Sequence, residues 1–252
     1  MEIEKSMKKN LEICCYTLES AITAEKFGAD RIELCDNHSE GGTTPSYATI
    51  QLAIEKLKIP VNVIIRPRGG DFLYSELEYE IIKKDVIKIK ELQAIGIVIG
   101  FLHTNGEIDI ERTREIVELA KPMEVTFHRA FDMCKNPMKA LEQLKKIGIT
   151  RILTSGAKNT AMEGIFLLSE LVNIAGDDII IMPGSGLNET NLHEIMETTH
   201  AMEFHSSAKK FESNIMEFFN QHISMGGDSA IDEFKKIAAD GEKIKKMIEI
   251  LK

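Results

Sequence analysis

The chain has 252 residues, 43% of them hydrophobic, which is enough for the core of one α/β barrel or two small domains. Its formal net charge of −9 argues against general nucleic-acid binding, and no apolar run reaches the roughly 18 residues of a membrane-spanning helix. Residues 1–10 are charged and lack the apolar stretch of a secretion signal. We therefore expect an N-terminal tail over 1–10, a cytoplasmic location, reduced cysteines and no nucleotide cofactor.

Eight short strand patterns follow one another, and helical sequence follows each of them. They start near residues 11, 30, 61, 97, 123, 150, 178 and 202. This strict alternation predicts a single-domain (β/α)₈ barrel, the TIM barrel, over residues 11–252. A doubly wound open sheet is the alternative, although it normally has fewer strands. Beyond Lys209 we predict an irregular or helical insert and then an amphipathic C-terminal helix from about Ser229, with apolar positions Ile231, Phe234, Ile237, Ile244 and Ile248.

The fifth strand pattern ends in a group of ionisable side chains. Because side chains alternate along a strand, Val125 and Phe127 should face the helices while His128 faces the barrel. The carboxyl ends of barrel strands are where such folds hold their chemistry. We therefore predict that His128 is an acid or base and that Asp132 orients it. The alternative is a structural His–Asp hydrogen bond beside a surface arginine, Arg129.

The same alternation points many charged side chains into the barrel, where aliphatic residues are usual. The predicted inward-facing set is Glu12, Cys14, Arg31, Glu33, Cys35, Asn62, Ile64, Arg66, Glu124, Thr126, His128, Arg151, Leu153, Ser155, Glu203 and His205. Buried charges are costly unless they are paired, so an ion-pair network in the core is one explanation. The outermost members should instead converge at the barrel mouth and form a site.

Two features at the mouth favour an anionic ligand. Arg66 and Arg68 lie two residues apart on an extended stretch, and arginine suits carboxylate or phosphate. Strands six to eight end in glycine- and serine-bearing loops, where barrels often bind phosphate through backbone N–H groups. The predicted substrate-binding residues are Arg66, Arg68, Ser155, Gly156, Gly184, Gly186, His205 and Ser206. The alternatives are ordinary strand-to-helix turns and an Arg66 that neutralises the barrel glutamates.

The cysteines suggest a metal site instead. Cys14 and Cys35 share one facing on neighbouring strands, whereas Cys15 must face the opposite way. Two thiolates suit a soft ion such as Cu(I). Zn²⁺ would need three or four ligands, with His128 or His205 added. The alternative is that these thiols are small buried hydrophobes.

Six segments of the chain resemble the CutC family of copper homeostasis proteins. They are Leu11-Glu-Ile-Cys-Cys15, Asp30-Arg-Ile-Glu-Leu-Cys35, Ile65-Arg-Pro-Arg-Gly-Gly-Asp-Phe72, Val125-Thr-Phe-His-Arg-Ala-Phe-Asp132, Arg151-Ile-Leu-Thr-Ser-Gly156 and Glu203-Phe-His-Ser-Ser207. The resemblance runs from Leu11 through the C-terminal helix. It implies one TIM barrel, a cytoplasmic protein, a homo-oligomer such as a dimer or tetramer, and copper binding.

Two functional hypotheses remain. The first is a Cu(I)-binding homeostasis protein that uses Cys14 and Cys35. The second is a barrel enzyme for a small anionic metabolite, a phosphorylated one included, with His128 and Glu33 as acid and base. Neither hypothesis involves a membrane or a nucleic acid as partner.

Overall fold

A computed structural model describes residues 8–213, 215–218, 220, 222–223 and 235–252. Eight parallel strands surround the centre of the molecule: β1 (Asn10–Cys15), β2 (Arg31–Leu34), β3 (Val61–Ile64), β4 (Gly96–Ile99), β5 (Glu124–Phe127), β6 (Arg151–Thr154), β7 (Ile180–Pro183) and β8 (Glu203–Ser206). Hydrogen-bonded ladders join neighbours in sequence order from β1 to β7, and β8 pairs with β1. The strands form a nearly closed barrel, so the predicted TIM fold is confirmed.

In the described part of the chain, eight α-helices accompany the strands: α1 (Leu18–Lys26), α2 (Tyr47–Lys56), α3 (Glu76–Glu91), α4 (Ile110–Ala120), α5 (Pro137–Lys146), α6 (Ile165–Ala175), α7 (Leu192–Thr199) and α8 (Gly241–Leu251). Most of them begin at a polar residue whose side chain accepts a hydrogen bond from the first turn. Ser75 and Glu78 form a reciprocal capping box at the start of α3, and Asp109 caps α4. These caps set where each helix leaves its loop, and so they help to shape the barrel mouth.

The core has two layers of different chemistry. Outward-facing strand residues such as Ile13, Ile32 and Phe127 are fully buried against the helices and form the main apolar cluster. Inside the barrel a much smaller apolar cluster contains Cys14, Cys35, Ile64 and Val98. The rest of the interior is largely polar, as the strand alternation predicts.

The C-terminal segment differs from the predicted long helix. Residues 209–213 form β9 (Lys209–Ser213), which pairs in antiparallel fashion with β10 (Lys235–Ala239), and α8 begins only at Gly241. Ile237 therefore lies on a strand, opposite Phe211. The predicted residues Ser229, Ile231 and Phe234 lie outside the described residues. The helix prediction was wrong over 235–240 because pairing with β9 satisfies the backbone there, and a few apolar residues fit either period.

The first strand starts one residue before its predicted start at Leu11. β1 begins at Asn10, and just before it the Lys8 ammonium contacts the Asp30 carboxylate. Residues 1–7 of the predicted tail lie outside the described residues. None of the helices in the described part of the chain is long and apolar enough to cross a lipid bilayer.

Candidate functional site

A cavity of about 480 Å³ opens at the carboxyl ends of the strands, within the size range of small-molecule sites. It is lined by Cys14, Tyr16, Glu33, His38, Glu40, Gly41, Ile64, Arg66, Phe72, His128, Arg129, Leu153, Ser185, Gly186, Leu187, His205, Ser206, Ser207 and Lys209. Catalytic and binding residues of TIM barrels lie at this end of the fold. Several of the side chains predicted to meet at the barrel mouth thus do line one cavity, although the lining residues are not the predicted set.

A layer of paired charges lies beneath the cavity. Arg31 donates to Glu12 at 2.5 Å and to Glu203 at 2.6 Å, and Arg151 donates to Glu203 at 3.0 Å. Asn62 donates to Glu12 at 3.1 Å. The predicted inward facing of these side chains holds. The alternative interpretation, a self-satisfied ion-pair network, is the right one for this layer, because every carboxylate in it has a cationic partner.

Two thiols lie side by side at one wall of the cavity. The sulfur atoms of Cys14 and Cys35 are 3.6 Å apart, and the Glu33 carboxyl completes a group whose ligand atoms all lie within 4.8 Å of one another. The parallel register of β1 and β2, which sets Cys14 opposite Glu33, brings these side chains together. Cys15 points to the helix layer, where its thiol donates to the Ile13 carbonyl, as strand alternation requires.

His205 connects the thiols to the charge layer. Its Nδ1 lies 2.8 Å from Oε1 of Glu12, and its Nε2 lies 3.6 Å from Oε2 of Glu33. Burial alone would lower the pKa of His205, but hydrogen bonds to Cys14 and Glu12 and the nearby carboxyl groups outweigh it and raise the pKa well above its usual value. The imidazole is therefore a cation at neutral pH.

The thiols differ in protonation. The hydrogen bond with Cys35 holds the pKa of Cys14 well below its ordinary value, against the effect of burial, and His205 lowers it further. Burial, with the charge of Cys14, raises the pKa values of Cys35 and Glu33, so the Cys35 thiol keeps its proton. The wall thus holds a Cys14 thiolate beside an imidazolium that Glu12 orients. A thiolate in such surroundings can ligate a soft metal or act as a nucleophile.

His128 lies on another side of the same cavity. Its Nδ1 accepts a hydrogen bond from the Ala130 N–H at 3.2 Å, and its buried Nε2 has no hydrogen-bond partner among the described residues. The ring packs against Phe72, with centroids 4.8 Å apart. Burial and the nearby Arg66 charge lower the pKa of His128 to about 3, so the ring is neutral at neutral pH and is a weak base there.

Asp132 does not orient His128, and that prediction is wrong. A short 3-10 turn over residues 129–133 carries Asp132 away to β6. There its carboxylate accepts hydrogen bonds from the backbone N–H groups of Ser155 and Ala157 and pairs with Arg129 at 2.7 Å. Asp132 is therefore a structural residue that fixes the loop after β6 and holds Arg129 at the cavity.

The two arginines after β3 do not act together on one ligand. Arg66 is buried and donates to the carbonyl oxygens of Glu40, Gly42 and Gly70, so it joins two loops at the mouth. Arg68 turns away from the cavity and pairs with Glu78 and Asp71. The prediction that both arginines bind one anion is wrong. β3 ends at Ile64, so the alternation of side chains along the strand does not set the directions of Arg66 and Arg68. It is also wrong that Arg66 neutralises barrel glutamates.

Most of the predicted backbone donors are already used. The N–H of Ser155 donates to Asp132, that of Gly156 to the Thr154 hydroxyl, and that of Gly184 to the Thr154 carbonyl. These three groups cannot form the predicted oxyanion cradle. Gly186 and Ser206 do line the cavity, and the Ser206 hydroxyl donates to the Leu187 carbonyl. The lack of a side chain at Gly184 is needed for packing, since a Cβ there would lie 2.5 Å from Leu153 Cδ1.

Several cavity residues were not predicted. Arg129 was given no role of its own in the predicted site, yet it lines the cavity, as do Tyr16, His38, Phe72 and Lys209. The ammonium of Lys209 lies 3.1 Å from Nε2 of His38. All five follow the carboxyl end of a barrel strand. Their position in the strand-to-helix loops was the available signal, because these loops build the mouth of a TIM barrel.

Comparisons of this sequence with a family model and with curated proteins all point to one family. Residues 9–210 match the sequence model of the CutC family. A family protein CutC from Parabacteroides distasonis is 47% identical over 243 residues, covering 96% of this chain and 100% of that protein. Another from Serratia proteamaculans is 45% identical over 237 residues, covering 94% of this chain and 93% of that protein.

Solved structures agree at the level of fold. A candidate copper homeostasis protein CutC from Streptococcus agalactiae superposes with a TM-score of 0.75 and 35% identity, covering 79% of this chain and 98% of that one. Phosphoribosylanthranilate isomerase from Thermotoga maritima superposes with a TM-score of 0.58 at 16% identity, covering 96% and 98%. The second likeness extends to the TIM barrel alone.

Proposed function

The chain belongs to the CutC family, and on that premise we propose that it is a cytosolic copper-homeostasis protein that binds Cu(I) as its cargo between Cys14 and Cys35. The observation that carries the proposal is the distance of 3.6 Å between the two sulfur atoms. Metal–thiolate bonds are about 2.3 Å long in zinc sites, so an ion of similar size fits between sulfurs at this distance. Thiolate ligands favour soft ions such as Cu(I).

The surroundings of the thiols support this assignment. Cys14 lines the cavity and is held as a thiolate, so one ligand is ready for an entering ion. Cys35 keeps its proton until the ion arrives and must release it on binding. Glu33 offers an oxygen ligand, which is a poor match for Cu(I) but would be a third ligand for Zn²⁺. The proposal therefore requires a preference for Cu(I).

The test is a Cu(I) titration of reduced protein under anaerobic conditions, in competition with a chromophoric Cu(I) chelator. We expect about one Cu(I) per chain, as one pair of thiols implies. Cys14→Ser and Cys35→Ser should each abolish binding that competes with the chelator. Cys15→Ser is the matched control, since its thiol faces the helix layer, and it should bind as the wild type does. Unchanged binding in the Cys14→Ser, Cys35→Ser double variant, or an equal loss in Cys15→Ser, would refute the proposal.

We also propose that the protein assembles as a homo-oligomer, a dimer or a tetramer, as its resemblance to the CutC family implies. Sedimentation velocity of the purified chain measures this directly. A monomer at micromolar concentration would contradict it.

A further inference from the structure

We propose that the cavity also binds a small organic oxyanion, a carboxylate or a phosphate ester, through His128, Arg129 and Lys209. We call these three residues the donor wall. The proposal is independent of copper binding, because none of the three residues takes part in the proposed thiol site.

The strongest observation is the hydrogen-bonding state of His128. Its Nδ1 accepts the Ala130 N–H, so the proton of the neutral ring lies on Nε2. Nε2 is then a hydrogen-bond donor, and it is buried without a partner in the described part of the protein. A buried donor without a partner is destabilising, so such groups are rare in folded proteins and call for an explanation. An acceptor oxygen in the cavity would satisfy it.

The position of the ring is set by its neighbours. Phe72 packs on it, and a Cβ at residue 100 would lie 2.4 Å from its Cε1 and Nδ1, so Gly100 makes the space that the ring occupies. The donor is consequently fixed before any ligand arrives. Pre-organised donors of this kind bind ligands at a lower entropic cost.

Positive charges line the same cavity as this donor, although the net charge of the whole chain is −9. Arg129 is held at the cavity by Asp132 and Ser155, and Lys209 lies at its rim beside His38. Arg66 adds a third positive charge, but its terminal nitrogens donate to loop carbonyls. Charge-assisted hydrogen bonds from arginine and lysine to an oxyanion are stronger than those between neutral groups.

Two carboxyl side chains also line the cavity, and neither belongs to the donor wall. Glu33 lies on the thiol side, beside Nε2 of His205. Glu40 belongs to the loop after β2, and its carboxylate packs so closely on Gly69 that a Cβ there would lie 1.9 Å from Oε2. Both carboxyl groups therefore have close neighbours of their own in the structure, His205 for Glu33 and Gly69 for Glu40.

The remaining lining suggests that the ligand carries carbon. Ile64, Leu153 and Leu187 contribute apolar side chains, and Tyr16 and Phe72 contribute rings. An inorganic ion would leave most of the cavity of about 480 Å³ unfilled. An organic compound with one anionic group can place that group on the donor wall and its carbon skeleton on the apolar side chains.

The test is calorimetric titration of reduced, metal-free protein in an amine buffer. The probes are inorganic phosphate, glycerol 3-phosphate and succinate, and glycerol serves as the neutral probe. We expect glycerol 3-phosphate or succinate to bind at millimolar concentration or below and more tightly than inorganic phosphate, with no binding of glycerol. The stronger of the two organic probes identifies the anionic group. Failure of every anion to bind at millimolar concentration would overturn the proposal.

Variants place the ligand on the donor wall. His128→Asn keeps an oxygen that can accept the Ala130 N–H but is too short to reach the cavity, and it should weaken binding about tenfold or more. Lys209→Gln should weaken binding several-fold, whereas the matched control Lys210→Gln, which pairs with Glu212 on the same strand, should not. Because the titration uses metal-free protein, anion binding is measured without copper, and failure of the copper proposal remains separable from failure of this one.

A second measurement covers the case in which His128→Asn fails to fold. Nitrogen-15 NMR of the wild-type protein should show the His128 ring protonated at Nε2, and that resonance should shift on saturation with the anion. A ring protonated at Nδ1, or an Nε2 resonance that stays fixed while the anion binds, would overturn the proposal.

Discussion

The chemistry of Cys14 depends on its partners rather than on its own position. A buried thiol normally has a raised pKa, yet the pKa of Cys14 lies well below its ordinary value because Cys35 and His205 stabilise the charged form. His205 in turn is a cation because Cys14 and Glu12 accept hydrogen bonds from its ring N–H groups. The two residues form an ion pair in which each stabilises the charge of the other.

We predict that His205→Gln raises the pKa of Cys14, because the variant loses the hydrogen bond and the positive charge of the imidazolium. In the wild-type protein, the thiolate absorbance of Cys14 in the near ultraviolet should persist at mildly acidic pH, and it should move towards alkaline pH in the variant. The unfolded protein should also titrate in the alkaline range, near the ordinary thiol pKa of about 8.5. Subtraction of the Cys14→Ser spectrum isolates the signal. An absorbance change that survives His205→Gln unaltered would contradict the ion pair.

Glu12 is the residue on which the inner charge layer depends. It accepts hydrogen bonds from Arg31 and Asn62 and lies 2.8 Å from His205, with 1% of its surface exposed. Glu12→Gln would leave two buried cations short of an anion, so the free energy of unfolding should fall by about 3 kcal/mol or more. Urea denaturation measures the change. The matched control is Glu118→Gln, which breaks an exposed pair with Lys121 and should leave stability nearly unchanged.

At the scale of elements, the sequence predicts strands much better than loops. The predicted strand starts lie within two residues of the observed ones, and alternation correctly faces Glu12, Glu33 and Glu203 inward. Both predictions are correct because side chains alternate along a strand with a period of two residues. Burial of the apolar face against the helices fixes which residues point into the barrel. The period stops where the strand stops, so it could not predict that Arg68 turns outward after β3.

The wrong predictions for Asp132 and for residues 235–239 have the same physical origin, which is contact between segments far apart in sequence. Asp132 was assigned to His128 because the two are near in the chain, but the N–H groups of Ser155 and Ala157 on another strand end bind it. Residues 235–239 were predicted to be helical from local spacing, but pairing with residues 209–213 makes them a strand. Local patterns do not contain such partners.

The cap of α3 gives a prediction at this scale. Ser75 accepts the Glu78 N–H, and the Glu78 carboxylate accepts the Ser75 N–H and also pairs with Arg68 in the loop after β3. Ser75→Ala should lower the free energy of unfolding by about 1 kcal/mol because the first turn loses an acceptor. Ser75→Thr retains a hydroxyl and should cost less. Equal losses in chemical denaturation of both variants would show that the hydroxyl is not the cause.

At the scale of the whole molecule, the barrel interior is divided by depth. Near the amino ends of the strands the charges pair with one another and contribute to the fold. Near the carboxyl ends the same alternation brings Cys14, His205 and His128 to the cavity, where Nε2 of His128 has no hydrogen-bond partner among the described residues. The alternation of side chains along the strands thus places both the paired charges and the cavity residues inside the barrel. The two groups differ in which end of the strands they occupy.

The burial of His128 near the carboxyl ends of the strands makes the free energy of unfolding depend on pH in the acidic range. Its pKa is about 3 in the folded protein against an ordinary value of 6.5, because burial and Arg66 disfavour the charged ring. Between these pH values the unfolded chain binds a proton that the folded protein does not. The stabilisation from this group is therefore fully present above pH 6.5 and is lost as the pH falls towards 3. At its steepest the loss approaches about 1.4 kcal/mol per pH unit.

We therefore predict that the free energy of unfolding of the wild-type protein falls more steeply with acid than that of His128→Asn. Urea denaturation at a series of pH values from neutral to mildly acidic gives both slopes. The comparison is of slopes, since the loss of the ring also lowers the absolute stability of the variant. His193→Asn is the matched control, because this histidine is exposed on α7. It should retain the wild-type slope. If wild type and His128→Asn lose stability in parallel, the buried ring is not the neutral donor that the cavity requires.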